Sequence, residues 1–350
     1  MMTKKNITIY DVASAAGVSK TTVSRYLNNR TDLMSEKTRA RIEKVIDILD
    51  YHPSELARSL KSKRTHTIGV IVSEIRSPFF SAVISGVEEV LFENGYSAIF
   101  MDCGNDKDKE ERYIKETLSR DVEGIIINTT SNNNDYLVSL DIQKVPIVLC
   151  DRYVKNHKLD IVTIDNEKLT NDIFDHLLEQ GFNRFAFFTE PWKENSSRQG
   201  RRNYFLKVIK DRLGYDASRD VYTIGTDYKD CSEALDAFAK TFGANDIPII
   251  IGVNSVTTFE VYLAIQKKNL RIPEDIGICG PDDWNWENYM SWPDITSTPV
   301  TTLNFDSKTL GRKCAELLLE RINNPQKEME EIKIPAVLKI RQSTTRKENK

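Results

Sequence analysis

The chain has 350 residues, 40% of them hydrophobic, and a formal net charge of −3. This length allows a large buried core divided into two or three domains, and no apolar run approaches the roughly 20 residues needed to cross a bilayer, which excludes a membrane-spanning protein. The charge is uneven, because residues 1–65 carry 13 Lys and Arg against 7 Asp and Glu, a balance of +6 that leaves −9 on the remainder. A basic segment on an acidic body is typical of a nucleic-acid-binding arm.

The first predicted elements are two short helices joined by a tight turn. Thr8 can cap the first helix with Asp11 reaching back to it, Gly17 ends that helix, and Ser19 caps the second. A third helix begins at Ser35 and repeats apolar residues on one face, at Ile42, Val45, Ile46 and Leu49. The pattern predicts a helix-turn-helix, and an ordinary three-helix cap with solvated polar faces is the alternative.

The second helix presents polar side chains on the face away from its apolar stripe. A major groove is about 12 Å wide and admits one helix, so such side chains can reach base edges and phosphates. The residues of this segment that we expect to contact DNA are Thr8, Tyr10, Ser19, Lys20, Thr21, Thr22, Ser24, Arg25 and Asn28.

Several motifs occur in one order along the chain: Thr8-Ile9-Tyr10-Asp11-Val12-Ala13, Gly17-Val18-Ser19, Thr22-Val23-Ser24-Arg25, Leu27-Asn28, Leu56-Ala57-Arg58-Ser59-Leu60 and Thr67-Ile68-Gly69-Val70-Ile71-Val72. With them the chain resembles the LacI/GalR family of bacterial transcription regulators. The resemblance implies a DNA-binding head over residues 1–52, a hinge helix and linker over 53–65, an effector-binding and dimerisation core over 66–343, and a tail over 344–350.

Residues 54–60 would form less than two turns of helix, which is too short to be stable alone in water. The resemblance implies that this hinge helix pairs across a dimer over the minor groove, with Leu60 as a wedge between base pairs. Such a wedge kinks the DNA. Ala57, Arg58 and Leu60 are therefore expected to contact DNA, and the alternative for Leu60 is packing onto the core together with Leu56.

From Thr67 onward, short apolar strands alternate with amphipathic helices such as 79–94 and 109–120. The alternation predicts α/β architecture with parallel sheets covered by helices. The predicted strands are 68–72, 98–101, 124–128, 147–150, 161–165, 185–189, 221–224, 249–253 and 276–280.

The resemblance adds that this core is a two-lobed, periplasmic-binding-protein-like fold with three crossovers, near residues 163, 294 and 325, and a last strand near 337–340. The first lobe would then hold residues 66–163 and 295–325, and the second lobe residues 164–294 and 326–343.

Polar residues follow three of the predicted strands: Asp151-Arg152, Asn254 and Asp282-Asp283-Trp284. Open parallel sheets bind ligands at the carboxyl ends of their strands. Carboxylate and amide groups form hydrogen bonds with vicinal hydroxyls, and an aromatic side chain stacks on the apolar face of a sugar ring. The set of residues therefore suits a carbohydrate. The alternatives are helix caps or turns for the aspartates and core packing for Trp284.

The resemblance assigns Asp151, Arg201, Asn254 and Asp282 to effector-binding positions, with Ser197 one turn before Arg201. Four arginines lie close together in these segments, at positions 152, 198, 201 and 202, which is more positive charge than a neutral sugar needs and favours an anionic sugar. The alternative for Arg198 and Arg202 is that they are plain surface charges. The expected effector-binding residues are Phe79, Phe80, Asp151, Arg152, Trp192, Ser197, Arg198, Arg201, Asn254, Asp282 and Trp284.

The loops 189–191, 196–198 and 280–286 resemble the branch of the family that regulates the uptake and breakdown of sugar acids such as 2-keto-3-deoxygluconate and gluconate. Departures from the family pattern, among them Pro281 before the aspartate pair and Leu169-Thr170 in place of glycines, leave other effectors open. The alternatives to a sugar acid are a neutral sugar, a sugar phosphate and a co-regulator protein.

The sequence contains no Gly-Lys-Ser phosphate loop, Gly-x-Gly-x-x-Gly, His-Glu-x-x-His or nucleophile elbow, so we do not expect an enzyme. A transported-sugar receptor would need an export signal and would lack the head. The five cysteines are expected to be reduced core residues, and neither a metal nor a cofactor is expected. We expect a cytoplasmic homodimer, since residues 346–350 lack the leucine heptads of a tetramerising helix.

Overall fold

The computed structural model describes residues 7–28, 30, 34–51, 64–225, 228–286 and 290–346. The chain forms two compact units that divide after Thr65. The expected hinge contacts Ala57, Arg58 and Leu60 lie outside the described residues.

The N-terminal unit consists of three helices, α1 (Ile9–Ala15), α2 (Lys20–Leu27) and α3 (Glu36–Leu49). The carboxylate of Asp11 accepts a hydrogen bond from the backbone N–H of Thr8 over 2.7 Å, and the hydroxyl of Ser19 accepts one from the N–H of Thr22 over 3.1 Å. Gly17 has a φ of +59°, in the left-handed region that glycine adopts without strain, and α1 ends just before it. The predicted helix-turn-helix is therefore confirmed. Its core side chains are Val12, Ala13, Ala16, Val23, Ile42 and Tyr51.

The C-terminal unit alternates strands and helices, as predicted. Its strands are β1 (Thr67–Val72), β2 (Ser97–Asp102), β3 (Gly124–Ile127), β4 (Ile147–Cys150), β5 (Asp160–Ile164), β6 (Arg184–Thr189), β7 (Val221–Thr223), β8 (Pro248–Gly252), β9 (Gly277–Pro281), β10 (Asn285–Trp286), β11 (Met290–Ser291), β12 (Thr301–Phe305), β13 (Glu331–Ile334) and β14 (Ala336–Lys339). Its helices are α4 (Pro78–Glu93), α5 (Lys107–Leu118), α6 (Asp135–Ile142), α7 (Asn166–Glu179), α8 (Ser196–Leu213), α9 (Tyr228–Ala239), α10 (Ser255–Lys267) and α11 (Ser307–Asn323).

The strands form two six-stranded sheets, and each sheet is the centre of one lobe. The first sheet has the order β13-β5-β4-β3-β1-β2 and is parallel throughout, with Ile68 of β1 opposite Ala98 of β2 and Gly124 of β3. The second has the order β14-β12-β9-β8-β6-β7 and is parallel except for β14, which runs antiparallel to β12. The strands β10 and β11 form a separate antiparallel pair. The predicted two-lobed α/β architecture is confirmed.

The chain passes between the lobes at Asp165, Asp306 and Pro335. The first passage agrees with the crossover expected near residue 163, but the expected positions near 294 and 325 are wrong. The reason is that β12 joins the second sheet before the chain returns to the first lobe, and β13 joins the first sheet after α11. We therefore call residues 66–164 and 307–334 the first lobe, and residues 166–305 and 336–346 the second lobe.

Helices α4 and α11 pack against each other in the first lobe at a distance that requires glycine on both. A Cβ atom added to Gly86 would lie 2.0 Å from the carbonyl oxygen of Lys308, and one added to Gly311 would lie 2.0 Å from that of Val83. These contacts are with backbone, which cannot move aside cheaply. The two glycines therefore allow α11, by which the chain returns to the first lobe, to pack closely against α4, whose first turn carries Phe79.

All five cysteines are buried, as expected of core residues. In the parts of the chain that the structure describes, no group of three or more His, Cys, Asp or Glu side chains is placed to hold a metal ion. No helix within these parts is long and apolar enough to span a membrane.

Candidate functional site

A cleft of about 330 Å³ opens between the two lobes, at the carboxyl ends of their strands. It receives side chains from the start of α4, the end of β4, the start of α8 and the ends of β8 and β9. The expected effector-binding residues that line it are Phe79, Phe80, Asp151, Arg152, Ser197, Arg198, Arg201, Asn254 and Asp282.

Arg201 lies on α8 with its guanidinium directed into the cleft. Its Nε donates to Oδ1 of Asn166 over 2.9 Å, and its Nη1 donates to the carbonyl oxygen of Val253 over 2.8 Å. Burial lowers the pKa of Arg201, while the carboxylates of Asp151 and Asp282 oppose this effect. Because both acceptors are neutral oxygens, the guanidinium is held in place while its charge can still act on an anion in the cleft.

Arg152 is a second buried guanidinium of the cleft. Its Nη1 donates to the carbonyl oxygen of Thr129 over 3.0 Å and to Oδ1 of Asn105 over 3.4 Å. Burial and the nearby charge of Arg198 lower the pKa of Arg152 to about 10. A lowered arginine pKa means that the cation is poorly compensated by its surroundings, so an anionic ligand would be stabilised beside it.

The loop that holds Arg152 is built on a fully buried carboxylate, Glu110 of α5. Glu110 accepts hydrogen bonds from the hydroxyl of Thr129 over 2.9 Å, from the backbone N–H of Thr130 over 2.5 Å and from Nδ2 of Asn134 over 2.7 Å. Burial raises the pKa of Glu110, and the hydrogen bonds from Thr130 and Thr129 oppose the rise. Glu110 therefore positions Arg152 through Thr129 and does not itself line the cleft.

Asp151 and Asp282 follow β4 and β9, and both have left-handed backbones with φ of 64° and 77°. Aspartate tolerates this region better than bulky residues. The hydroxyl of Ser255 donates to Oδ2 of Asp282 over 2.8 Å, and the hydroxyl of Ser197 lies 3.4 Å from Oδ1 of Asp151. Burial raises the pKa of Asp282 to about 6. The two carboxylates supply acceptors for ligand hydroxyls on opposite lobes.

Glu190 joins two of the expected residues. Its Oε1 accepts from Nη2 of Arg198 over 2.5 Å, and its Oε2 accepts from Nδ2 of Asn254 over 2.6 Å. Arg198 also donates to the carbonyl oxygen of Pro191 over 3.0 Å, and Asn254 caps α10 by accepting from the N–H of Thr257 over 2.8 Å. Arg198 is thus a cleft residue in an ion pair, not a plain surface charge.

Three phenylalanines form the apolar wall of the cleft. The rings of Phe79 and Phe80 meet edge to face at 4.9 Å between centroids, and Phe79 meets Phe305 in the same way at 6.1 Å. The guanidinium of Arg201 lies 6.0 Å from the ring of Phe305. An apolar wall opposite polar side chains matches the two faces of a sugar ring.

The structure does not bring Trp192 and Trp284 to the cleft, so their expected place beside the ligand is wrong. Trp192 stacks against Arg202, whose guanidinium carbon lies 4.2 Å from the ring. Trp284 packs against the core of the second lobe, which was the alternative left open for it. In each case the residue follows a strand, but the loop turns the ring toward neighbouring protein.

Several cleft residues were not expected from the sequence: Glu74, Arg76, Ser77, Asn105, Glu190, Asn195, Ser255, Val256 and Phe305. Glu190 directly follows β6, and the strand-end rule applied to Asp151 could have found it. Asn195 is the N-cap of α8, a signal that was visible in the sequence. Phe305 ends β12, a strand that was not predicted.

The expected DNA contacts of the head divide into exposed groups and helix caps. Tyr10, Lys20, Thr21 and Arg25 are exposed. Nζ of Lys20 donates to the hydroxyl of Tyr10 over 3.1 Å and lies 4.7 Å from the centre of its ring. The remaining expected residues are exposed or half-buried and make local contacts at helix ends or along α2: Thr8, Ser19, Thr22, Ser24 and Asn28.

Comparison with known proteins identifies the family. Residues 8–54 match the model of bacterial regulatory proteins of the lacI family, and residues 65–342 match that of periplasmic binding proteins and the sugar binding domain of the LacI family. The chain is 33% identical over 347 residues to the HTH-type transcriptional regulator KdgR of Bacillus subtilis, covering 97% of this chain and 98% of the relative. It is 32% identical over 340 residues to the regulator PtxS of Pseudomonas aeruginosa, covering 97% and 96%.

A solved structure of the lac repressor dimer bound to operator and the anti-inducer ONPF has the same fold. It matches with a TM-score of 0.83 at 22% identity and covers 98% of this chain and 100% of that chain. The relatives are transcriptional regulators and not enzymes. The chain therefore belongs to the LacI family of DNA-binding transcriptional regulators, with a helix-turn-helix head and a sugar-binding domain of the periplasmic-binding-protein type.

Proposed function

We propose that this regulator is a homodimeric repressor that binds a pseudo-palindromic operator in the cytoplasm and is controlled by a small carbohydrate, with a sugar acid as the favoured effector. The observation that carries the effector proposal is the lining of the cleft. Asp151, Asp282 and Asn254 suit hydroxyls, the phenylalanine wall suits a sugar ring, and Arg152 and Arg201 suit a carboxylate.

The operator proposal is supported by the head. Tyr10, Lys20, Thr21 and Arg25 supply exposed groups that can bond to DNA, and a two-fold dimer presents two such heads to the two halves of a symmetric site. The lac repressor structure of the same fold is a dimer on its operator. Leu60, as a minor-groove wedge in a hinge helix, remains an expectation from the sequence.

Effector control requires that the ligand bind the DNA-competent and DNA-incompetent states with different affinity. Lobe closure around the cleft would supply this difference, and hinge-helix pairing would transmit it to DNA. By linkage, operator must then change effector affinity by the same factor.

A second candidate effector is a neutral sugar. It is favoured by the ion pair between Glu190 and Arg198, because that pair already compensates one guanidinium of the cleft. The remaining cations can then be balanced by Asp151 and Asp282.

The test uses the full chain in two steps. Operator is first selected from random DNA and verified by gel shift, with Arg25→Ala expected to weaken binding. The complex is then titrated with gluconate, 2-keto-3-deoxygluconate, neutral sugars and sugar phosphates. Release or tightening by a sugar acid alone would support the favoured effector, and a response to neutral sugars or phosphates alone would overturn it. A chain that selects no DNA sequence would overturn the operator proposal.

A further inference from the structure

Glu190 is a carboxylate of the protein that lines the cleft and holds two of its hydrogen-bond donors. It follows β6, and its side chain is 17% exposed. Its two oxygens bridge Nη2 of Arg198 and Nδ2 of Asn254, at 2.5 and 2.6 Å. A guanidinium and an amide that donate to the two oxygens of one carboxylate form a complete carboxylate-binding pair. The protein therefore fills this pair with its own side chain.

The other polar groups of Arg198 and Asn254 are engaged within the protein. The other terminal nitrogen of Arg198 donates to Pro191, and the amide oxygen of Asn254 caps α10. Any ligand carboxylate that approached these donors would have to displace Glu190 or lie close to its negative charge. Two carboxylates that share the same donors repel each other strongly in a partly desolvated site.

The other cations of the cleft are placed differently. Arg152 and Arg201 direct their hydrogen bonds, within the part of the chain that the structure describes, to neutral oxygens. Arg76 is largely exposed and pairs with Glu74. Among Arg152, Arg198 and Arg201, the buried or half-buried guanidiniums that line the cleft in the described part of the chain, Arg198 is thus the one in a direct ion pair, and its partner is Glu190. The charge of Glu190 therefore affects the choice between acidic and neutral ligands.

We propose that Glu190 sets the charge preference of the cleft by acting as an internal competitor of acidic ligands for Arg198 and Asn254. This inference rests on the proposed carbohydrate effector. An acidic ligand binds against the repulsion of Glu190, whereas a neutral ligand binds with Glu190 in place as a hydrogen-bond acceptor. The residue thereby determines how far the cleft discriminates between a sugar acid and the same molecule without its charge.

A purely structural role for Glu190, as a clamp on the loop between β6 and α8, would give a different result. Loss of the clamp would change the affinity for charged and neutral ligands by the same factor. The ratio of the two affinities therefore separates the two roles, and it is insensitive to a partial loss of folded protein.

The experiment compares the full-length wild type, Glu190→Gln and Glu194→Gln by titration calorimetry. Glutamine keeps the size of Glu190 and removes its charge. Glu194 is an exposed glutamate of the same loop, so Glu194→Gln controls for the change in net charge. The probes are two matched pairs, gluconate with gluconamide and glucuronate with glucuronamide, in which each acid is compared with its neutral amide.

We expect the acid-to-amide affinity ratio to rise about tenfold or more in Glu190→Gln, as the loss of one unit of like charge at short range allows. The ratio of Glu194→Gln should equal that of the wild type. A ratio that is unchanged or lower in Glu190→Gln, with measurable binding, would overturn this inference and leave the proposed function standing. Absence of binding of every probe to all three proteins would overturn both.

Discussion

Tyr153 of the first lobe and Ser196 of the second join the two lobes: the backbone N–H of Tyr153 donates to the hydroxyl oxygen of Ser196 over 2.9 Å. A second bond runs beside it, from the N–H of Asn132 to the carbonyl oxygen of Glu194 over 2.8 Å. Because α8 begins at Ser196 and also carries Ser197, Arg198 and Arg201, these bonds tie the lobes together at the residues that line the cleft.

Replacement of Ser196 by alanine should therefore loosen the lobes without unfolding them. The N–H of Tyr153 would lose its acceptor, so we expect its hydrogen exchange to accelerate by about tenfold, the equivalent of one hydrogen bond. Exchange mass spectrometry of the full chain gives the measurement. Ser139→Ala, which removes a hydroxyl bonded within α6, is the control, and equal exchange at Tyr153 in both variants would contradict the role of Ser196.

Arg201→Ala should shift the effector response to higher effector concentration while operator affinity is retained. The loss of one charge-assisted contact to ligand corresponds to about a ten- to hundredfold weaker effector binding. Arg202→Ala is the matched control, because the Arg202 guanidinium stacks on Trp192 away from the cleft. Gel shifts at increasing effector concentration test both variants. A normal response of Arg201→Ala would remove this residue from the binding site.

Asp282 should make the core less stable as pH rises. Its pKa in the folded chain is about 6, above the ordinary value of 3.8, so the folded state holds a proton that the unfolded state has lost between these values. The contribution of Asp282 to stability is present below about pH 4, falls as pH rises toward 6, and stays low above it.

Asp282→Asn keeps an acceptor for Ser255 and removes the charge, so the variant should gain stability relative to the wild type as pH rises from 4 to 7. Urea unfolding at several pH values in this range measures the difference between the two proteins. A difference that is constant with pH, or that shrinks as pH rises, would contradict the raised pKa of Asp282.

Lys20→Ala should weaken operator binding through a lost phosphate contact and lower the salt dependence of that binding. Each phosphate contact adds about 0.9 to the slope of log affinity against log salt concentration. Lys44→Ala is the control, since Lys44 is an exposed lysine of α3 that we do not expect to touch DNA. Fluorescence anisotropy across a salt series gives the slopes. Equal slopes for Lys20→Ala and the wild type would leave Lys20 with only its contact to Tyr10.

Part of the cleft could be predicted from the sequence by one geometric rule. Parallel strands bring their carboxyl ends to one edge, so Asp151, Asn254 and Asp282 had to lie near each other once the strands before them were recognised. The rule places a residue at the edge but does not fix the direction of its side chain. Trp192 and Trp284 meet the rule and still turn toward protein, because neighbouring side chains, not the strand, decide the orientation of a ring.

The crossovers could not be placed in the same way. The strand β12 has the sequence Thr-Thr-Leu-Asn-Phe, whose polar residues hide its strand character, although Thr301 and Thr302 are buried in the structure. Its polar atoms are satisfied by residues far along the chain: the hydroxyl of Thr301 lies 2.6 Å from that of Thr344, and the N–H of Thr301 donates to Ser343 over 2.8 Å. Local patterns do not report such partners.

Because the chain passes between the lobes at Asp306 and Pro335, late in the sequence, both sheets are completed late in synthesis. Asp160 at the start of β5 is buried, yet its carboxylate is bonded by Arg321 of α11 at 2.7 and 3.0 Å and by the N–H of Glu330 at 2.9 Å. Until the ribosome has made these residues, the carboxylate of Asp160 lacks these partners, and β5 is an unpaired edge of the sheet because β13 has not been made. The second sheet likewise stays incomplete until β14, its edge strand, has been made after β13. Each sheet therefore takes an edge strand from the last part of the chain, so the two sheets are completed within a few residues of each other.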